Sequence, residues 1–188
     1  MDVLEPAAME DLVRGLKEGR PAAYETLVRE YGDRIFRFVK RMVGEAWAED
    51  LTQEVFVRVH RSVGAYRPEG RFESWLFAIA NNLCIDRARR RRPEASVSDL
   101  GEEAAAEHFL ASTPEPSDAV EEEERRRALL KAVERLPPEQ RQVFLMREEG
   151  GLSFKEIAEI VGCPLNTALG RMHYAMENLK RTLKAYGV

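Results

Sequence analysis

The stretch Arg71–Arg92, RFESWLFAIANNLCIDRARRRR, constrains this chain most. Phe72, Trp75, Leu76, Ile79, Ala80 and Leu83 recur at spacings of three and four, which makes them one apolar face of an α-helix. About 20 residues at 1.5 Å each give a rod of roughly 30 Å. The rod ends in Arg87, Arg89, Arg90, Arg91 and Arg92. Arginine near a helix C-terminus suits the macrodipole, at about 0.3–1 kcal/mol per exposed charge. Five arginines in six residues exceed that need. Either this is a core helix with a solvated basic end, or its apolar face anchors it in a domain while its polar face and basic end follow a nucleic-acid backbone.

The rest of the chain reads as helices in series. Residues 8–18 carry Met9, Leu12, Val13 and Leu16 on one face, and Gly19 and Pro21 punctuate them. A helix from Ala22 to Val43 has the stripe Leu27, Tyr31, Ile35, Phe38, Val39 and Met42, and Gly44 ends it. A third, from about Ala46 to Val63, turns Leu51, Val55, Val59 and part of Phe56 inward. The loop GAYRPEGR leads into the Arg71–Arg92 helix. Four helices with short connections make a compact domain. No segment sustains period-two alternation, so the expected fold is all-α.

Residues 93–120 are rich in Pro and Ser and lack a helical stripe; they read as a linker, with a helical turn near Ala104–Leu110. As a random coil, 28 residues average about 30 Å end to end, and acidic repulsion extends that. Glu121–Leu136 is helical again, through Ala128, Leu129, Ala132, Val133 and Leu136. Pro137-Pro138 breaks it, and Pro138 suits the first turn of the next helix, with Val143, Phe144 and Met146. A last helix, to about Lys184, has the inner stripe Leu165, Ala168, Met172, Ala175, Leu179 and Leu183.

The net charge of −4 is unevenly spread. Residues 1–96 carry 17 Lys+Arg against 16 Asp+Glu, residues 97–124 carry 10 acids and no base, and residues 125–188 carry 12 bases against 7 acids. The acidity belongs to the linker, and both flanking domains are net basic. Cys84 and Cys163 fit no disulfide framework or zinc spacing and read as small buried hydrophobes; His60, His108 and His173 form no ligand cluster. No metal or cofactor is expected. Without a basic, apolar leader or an apolar run near 18 residues, the chain reads as cytoplasmic, with no membrane insertion.

Ser153–Ala175 carries the most information. Ser153 and Glu156 have the capping-box spacing, the small Ala158 suits a close helix crossing, and Gly162 allows a sharp turn. A second helix follows and turns Asn166, Thr167, Gly170, His173 and Tyr174 away from its core stripe. This is the plan of a helix-turn-helix whose second helix enters a major groove. Asn166 can pair with adenine, Thr167 can meet a thymine methyl or a base edge, and Arg171 on the flank can reach phosphate or guanine. A plain helical hairpin is the alternative.

With these motifs in order, the chain resembles the extracytoplasmic-function (group IV) sigma factors of the sigma-70 family. The resemblance runs over nearly the whole chain: Ala48–Tyr66 is similar to the segment that grips the polymerase clamp, Phe72–Arg92 to the one that binds and melts the −10 element, and Leu136–Gly162 to the start of the −35-binding domain. It implies two small helical domains, 1–92 (region 2) and 121–188 (region 4), joined by a flexible acidic linker, 93–120. It implies that Asp50, Gln53, Glu54 and Phe56 face the β′ coiled coil, which suits residues left outside the third helix's core stripe. Asn82 falls where the family has an asparagine near the melted strand, and Trp75 on a family tryptophan that the stripe turns inward. The loop Gly64–Arg71 is similar to one that takes up a flipped base, where Tyr66 is either a stacking ring or a loop anchor. Arg67, Arg71, Arg87, Arg89 and Arg90 complete the set expected at the −10 strand.

One departure stands out. The run NTALGRMHYAMENL has Leu169, Gly170, Tyr174 and Met176 where the family often has basic or polar residues. Arg171 is its only arginine before Lys180, so phosphate contacts are expected from Arg141, Lys155 and Lys180, with more weight on DNA shape. The resemblance implies a non-enzymatic transcription initiation factor. Its partners would be core RNA polymerase (β′ and β subunits), promoter DNA and an anti-sigma factor, with the linker threading the RNA-exit channel. A stand-alone helix-turn-helix regulator is the rival; it would bind duplex DNA tightly without polymerase.

Overall fold

The computed structural model describes residues 5–68, 71–91 and 118–185, all built from helices and turns. The elements are α1 (Pro6–Lys17), α2 (Pro21–Val43), α3 (Ala48–Ser62), α4 (Phe72–Arg91), α5 (Asp118–Glu134), α6 (Pro138–Glu148), α7 (Phe154–Val161) and α8 (Leu165–Ala185). Short 3-10 turns at Glu45–Trp47 and Val63–Ala65 flank α3. Among the described residues there is no strand. The expected helical turn at Ala104–Leu110 lies outside the described residues.

Local chemistry sets the ends. Pro6, Pro21 and Pro138 occupy the first turns of α1, α2 and α6, where a missing N–H costs nothing. Gly44, at φ 92°, closes α2. Ser153 Oγ accepts from Glu156 N at 3.3 Å, and Glu156 Oε2 accepts from Ser153 N at 2.7 Å, completing the capping box of α7. Gly162 stops α7 in the left-handed region, at φ 68°.

In the first domain, α2 supplies Leu27, Tyr31, Ile35, Phe38 and Val39, α3 supplies Val55 and Val59, and α4 supplies Phe72, Leu76, Ala80 and Leu83, all buried. Phe38 meets Phe77 edge-on at 5.4 Å between centroids, an arrangement that contributes about 0.5–1.5 kcal/mol beyond area burial. Tyr31 Oη donates to Glu73 Oε1 at 3.2 Å, so that buried acid has a partner. The second domain closes Ala132, Val133, Leu136, Val143, Leu145, Met146, Leu152, Ile157, Ala168, Ala175 and Leu179 around α6.

The two domains touch. α5 and α6 lie against α2, and α7 lies against α4. This changes the reading of α4: beyond the expected stripe, Phe77, Asn81 and Cys84 are buried as well, because the second domain covers that side. Gly150 is needed there, since a Cβ on it would stand 2.5 Å from the Met146 carbonyl oxygen and 3.3 Å from Phe77 Cδ1. Two apolar expectations are corrected. Leu129 and Leu165 are exposed rather than core, because each lies ahead of the first buried residue described in its helix, Ala132 and Ala168. Half-buried Leu51 packs against the core as expected. Helix α5 begins at Asp118, three residues ahead of the expected start.

Replacing Gly162 with Ala keeps the helix formers but forces a Cβ into the left-handed region. The second domain is expected to lose about 1–2 kcal/mol, read as a lower urea midpoint for its unfolding.

Candidate nucleic-acid and polymerase interface

Each residue expected at a site has a definite place. On α3, Asp50 and Gln53 are exposed, and half-exposed Glu54 accepts from Arg58 Nε at 3.1 Å. Phe56 is half-buried and packs on the core, as expected of its partly inward position, because it falls between the Val55–Val59 stripe and solvent. The apolar side chain that shares the outer face with Asp50, Gln53 and Glu54 is Val57, which is exposed. Its i+4 spacing from Gln53 is the signal that would have found it.

At the loop before α4, the aromatic reading resolves toward the anchor. The Tyr66 ring is 7% exposed, edge-on to Phe72 at 5.7 Å and tilted against Trp75 at 4.9 Å, with Lys17 Nζ over its face. It is packed on the domain and has no free face for a base. Burial, then the Glu73 charge, raises its hydroxyl pKa. A cavity of about 330 Å³ nonetheless gathers Tyr66, Arg67 and Arg71 with Ala65, Ser74 and Trp75. Arg67 is exposed at its rim. Arg71 is engaged by the other domain: its Nη1 donates to the Gly151 carbonyl at 3.0 Å, and it faces Glu73 and Glu156.

Along α4, Asn82, Arg89 and Arg90 are exposed, and Arg89 borders a cavity that Pro138 and Gln142 of the second domain also line. Arg87 is different. Its guanidinium stacks on the Trp47 ring, 3.2 Å from the centroid, and its buried Nε has no hydrogen-bond partner. It therefore fastens α4 to the turn after α2, and cation–π attraction replaces the expected phosphate contact. Trp47 was not singled out in the sequence, where an aromatic next to a glycine turn carries no periodic signal.

In the second domain, α7 presents exposed Lys155, and α8 presents exposed Asn166, Thr167, His173 and Tyr174 with half-exposed Gly170 and Arg171. The His173 and Tyr174 rings touch edge-on at 5.5 Å. Arg141 does not serve as a phosphate contact: its Nη atoms donate to the carbonyls of Arg41, Glu134 and Leu136 at 3.3, 2.6 and 3.0 Å. Burial lowers its pKa, partly offset by Glu134. Lys180 is exposed and faces Glu177 at 3.7 Å.

The seam between the domains is polar and was not legible in advance. Glu149, 9% exposed at its side chain, accepts from Arg37 Nε at 2.9 Å and from Arg41 Nη1. Arg34 Nε donates to its carbonyl at 2.7 Å. Buried Asn81 accepts from Gln142 Nε2 at 2.6 Å, and Ser74 Oγ donates to Glu156 Oε1. Burial raises the Glu156 pKa, but bonds from Ser74 and Ser153 and the Arg71 charge outweigh it and hold the carboxyl below its usual range. A trace existed in the sequence: Ser74, Phe77, Asn81 and Cys84 form a second strip on α4 at spacings of three and four.

Burial pushes the Cys84 thiol up to about 12, so it stays protonated in its pocket. Cys163 is half-buried. Among the described residues, no three His, Cys, Asp or Glu side chains are grouped to hold a metal, and no helix is long and apolar enough to cross a membrane.

A two-domain helical protein with a helix-turn-helix at one end and an arginine-tailed helix at the other belongs to the class of sequence-specific DNA-binding proteins. Comparison narrows this. Residues 27–94 match the family model for sigma-70 region 2, and residues 126–179 match the one for sigma-70 region 4. The sigma factor SigE of Mycolicibacterium smegmatis is 37% identical over 84% of this chain, which spans 60% of that protein's length. SigW of Bacillus subtilis is 30% identical over 92% of this chain and 95% of its own. The structure of the sigma factor RpoE in complex with the anti-sigma factor NepR from Bartonella quintana shares the fold, with TM-score 0.65 and 21% identity over 86% of this chain and 96% of that one. The chain belongs to the extracytoplasmic-function RNA polymerase sigma factors of the sigma-70 family, which are promoter-specific transcription initiation factors.

The seam carries two predictions. Glu149→Ala strands Arg37 and Arg41 and should weaken docking by about 1–3 kcal/mol, seen as a larger radius of gyration by X-ray scattering with the helical content unchanged. The Glu156 pKa is depressed in the folded state, so its contribution is present above the unfolded value of about 4.3 and is lost as pH falls through the folded one. Amide exchange at Ser74 should therefore quicken relative to Tyr31 as the solution is taken from pH 6 toward pH 3.

Proposed function

We propose that residues 1–92 bind core polymerase and open the −10 element, that residues 121–188 read the −35 element, and that residues 93–120 connect them. One observation carries this. Three outward polar faces occur in order on separate helices: Asp50, Gln53 and Glu54 with Val57 on α3, Asn82, Arg89 and Arg90 on α4, and Asn166, Thr167 and His173 on α8. The α3 face mixes acids with one exposed aliphatic, which suits a polar-apolar contact with a helical coiled coil. The α4 face offers an amide and cations to an opened strand. The cavity between Tyr66, Arg67 and Arg71 is where an unstacked base can lodge, with Arg67 for its phosphate and the packed aromatic cluster as its wall. Lys155 and Arg171 flank the duplex face of α8.

Both elements cannot be reached while the domains are docked. Positions −10 and −35 lie about 85 Å apart at 3.4 Å per base pair, whereas α8, with 21 residues, is only about 32 Å long. The 26 residues between Arg91 and Asp118 have a contour length of roughly 90 Å, enough to connect parted domains. Binding to polymerase and promoter thus exchanges the seam contacts of Arg71 and Ser74 for external ones. The factor itself supplies binding energy and strand capture, and polymerase performs the chemistry, in the cytoplasm. An anti-sigma protein that covers the α3 or α4 face would keep the factor inactive.

Run-off transcription from a promoter library with purified core polymerase tests this. Promoter opening should require core and this chain together. Asp50→Ala with Gln53→Ala should weaken core binding about ten-fold, while Asn82→Ala should slow opening three- to ten-fold with core binding unchanged. Tight, polymerase-independent binding to a two-fold symmetric operator would show a stand-alone regulator instead.

A further inference from the structure

The outward side of α8 is apolar along one edge. Leu169 is 42% exposed, on the flank between the buried Ala168, Ala175 and Leu179 stripe and the polar outer face. Asn166, Leu169, Gly170 and His173 follow spacings of three, four and seven, so they share one strip. A Cβ at Gly170 would meet nothing within 4 Å, so packing does not require glycine there. Glycine in a helix interior costs about 0.5–1 kcal/mol relative to alanine. What it provides is a shallow spot beside Leu169 where the helix backbone can approach another surface closely. The strip has no cation, and Arg171 on the flank is half-buried.

Resting on the reading that α8 lies in the major groove of the upstream element, we propose that Leu169 is a specificity residue that reads the C5-methyl group of a thymine. Thymine carries the apolar group that a branched aliphatic side chain can cover in that groove; guanine and cytosine offer only polar edges. Asn166 stands one turn away, about 4.5 Å along the axis, against a base step of 3.4 Å. Its amide pairs with adenine N6 and N7. The two side chains together therefore select adjacent A·T pairs, with the thymine methyl of one under Leu169 and the adenine of the other under Asn166. A guanine-reading arginine is replaced by a methyl-reading leucine, and the contact depends little on salt, because it releases no counterion.

The test uses holoenzyme assembled from this chain and core polymerase. Upstream elements are first selected from a randomised library, and each thymine in the selected duplex is then replaced singly by deoxyuridine, which deletes one methyl. At one position the wild-type complex should bind about four-fold more weakly, the scale of one buried methyl. Leu169→Ala, which keeps a strong helix former, should bind the thymine duplex about four-fold more weakly and be indifferent to deoxyuridine at that position. Leu169→Arg should shift selection there toward guanine. Indifference of the wild-type complex to every deoxyuridine, with a selected upstream element still required, would overturn the proposal and leave the function intact. A Leu169→Ala defect in binding core polymerase without DNA would make the strip a protein contact and overturn it too. If no upstream sequence is selected at all, the assignment of α8 to the −35 element fails with it.

Discussion

A single carboxylate, Glu149, holds the arrangement of this molecule. Its two oxygens take Arg37 and Arg41 from α2, and its carbonyl takes Arg34 from the same helix. Three arginines spaced along one helix face thus converge on the end of α6 in the other domain. Taking the acid out of water is costly, and the pairing offsets that cost only while both arginines stay in reach. Once α6 is fixed there, Gly150 can press on Phe77, Gln142 can reach Asn81, and α7 can bring Glu156 to Ser74. The burial of α4 on a second side follows from this ionic contact rather than from hydrophobic pattern. A polar seam of this kind is well suited to being undone, since each group can be handed to water or to another partner at modest cost.

That reversibility matters because the seam borders the residues assigned to DNA. Arg71 spends its donors on the Gly151 carbonyl and the Glu156 carboxylate, and Ser74 spends its hydroxyl on Glu156. Asn82, Arg89 and Arg90 stay exposed to solvent, Arg89 at the rim of the seam, as do Asp50 and Gln53 on α3. The docked molecule therefore leaves most of the faces proposed for polymerase and strand open, and engages Arg71 and Ser74. On the proposed function, opening the seam would free Arg71 and Ser74 beside the Tyr66 cavity and let α8 move to a distant stretch of duplex.

Much of the helical plan was legible because its causes are local. Proline in a first turn, the Ser153–Glu156 capping box and the left-handed Gly162 each act within a few residues. The stripes of α2 and α8 were legible for the same reason, except at Leu165, where a first-turn side chain lies beyond the edge of the core. Tertiary partners decided the rest. Tyr66 became an anchor because Phe72 and Trp75 stand one helical turn apart beneath it, and Arg87 became a fastener because Trp47 lies across from it. Phe56 is half-buried, as expected of a residue at the edge of the α3 stripe, whereas the exposed Val57 on the outer face was not singled out. Nothing periodic marks Glu149, since a buried acid reads like any other in a charged turn. Of the candidate site, exposure at Asp50, Gln53, Asn82, Asn166, Thr167 and His173 followed from the side of each helix that faces away from its stripe.

The proposed function requires the domains to part on the promoter, and distance reports that directly. Dyes placed through Glu45→Cys and Glu134→Cys, in a Cys84→Ala, Cys163→Ser background, sit on opposite banks of the seam, where Lys40 and Glu134 line one cavity. Energy transfer between them should be high in the free protein and should collapse when core polymerase and promoter DNA are added together. High transfer that persists in a complex actively making RNA would contradict the exchange of seam contacts for polymerase and DNA.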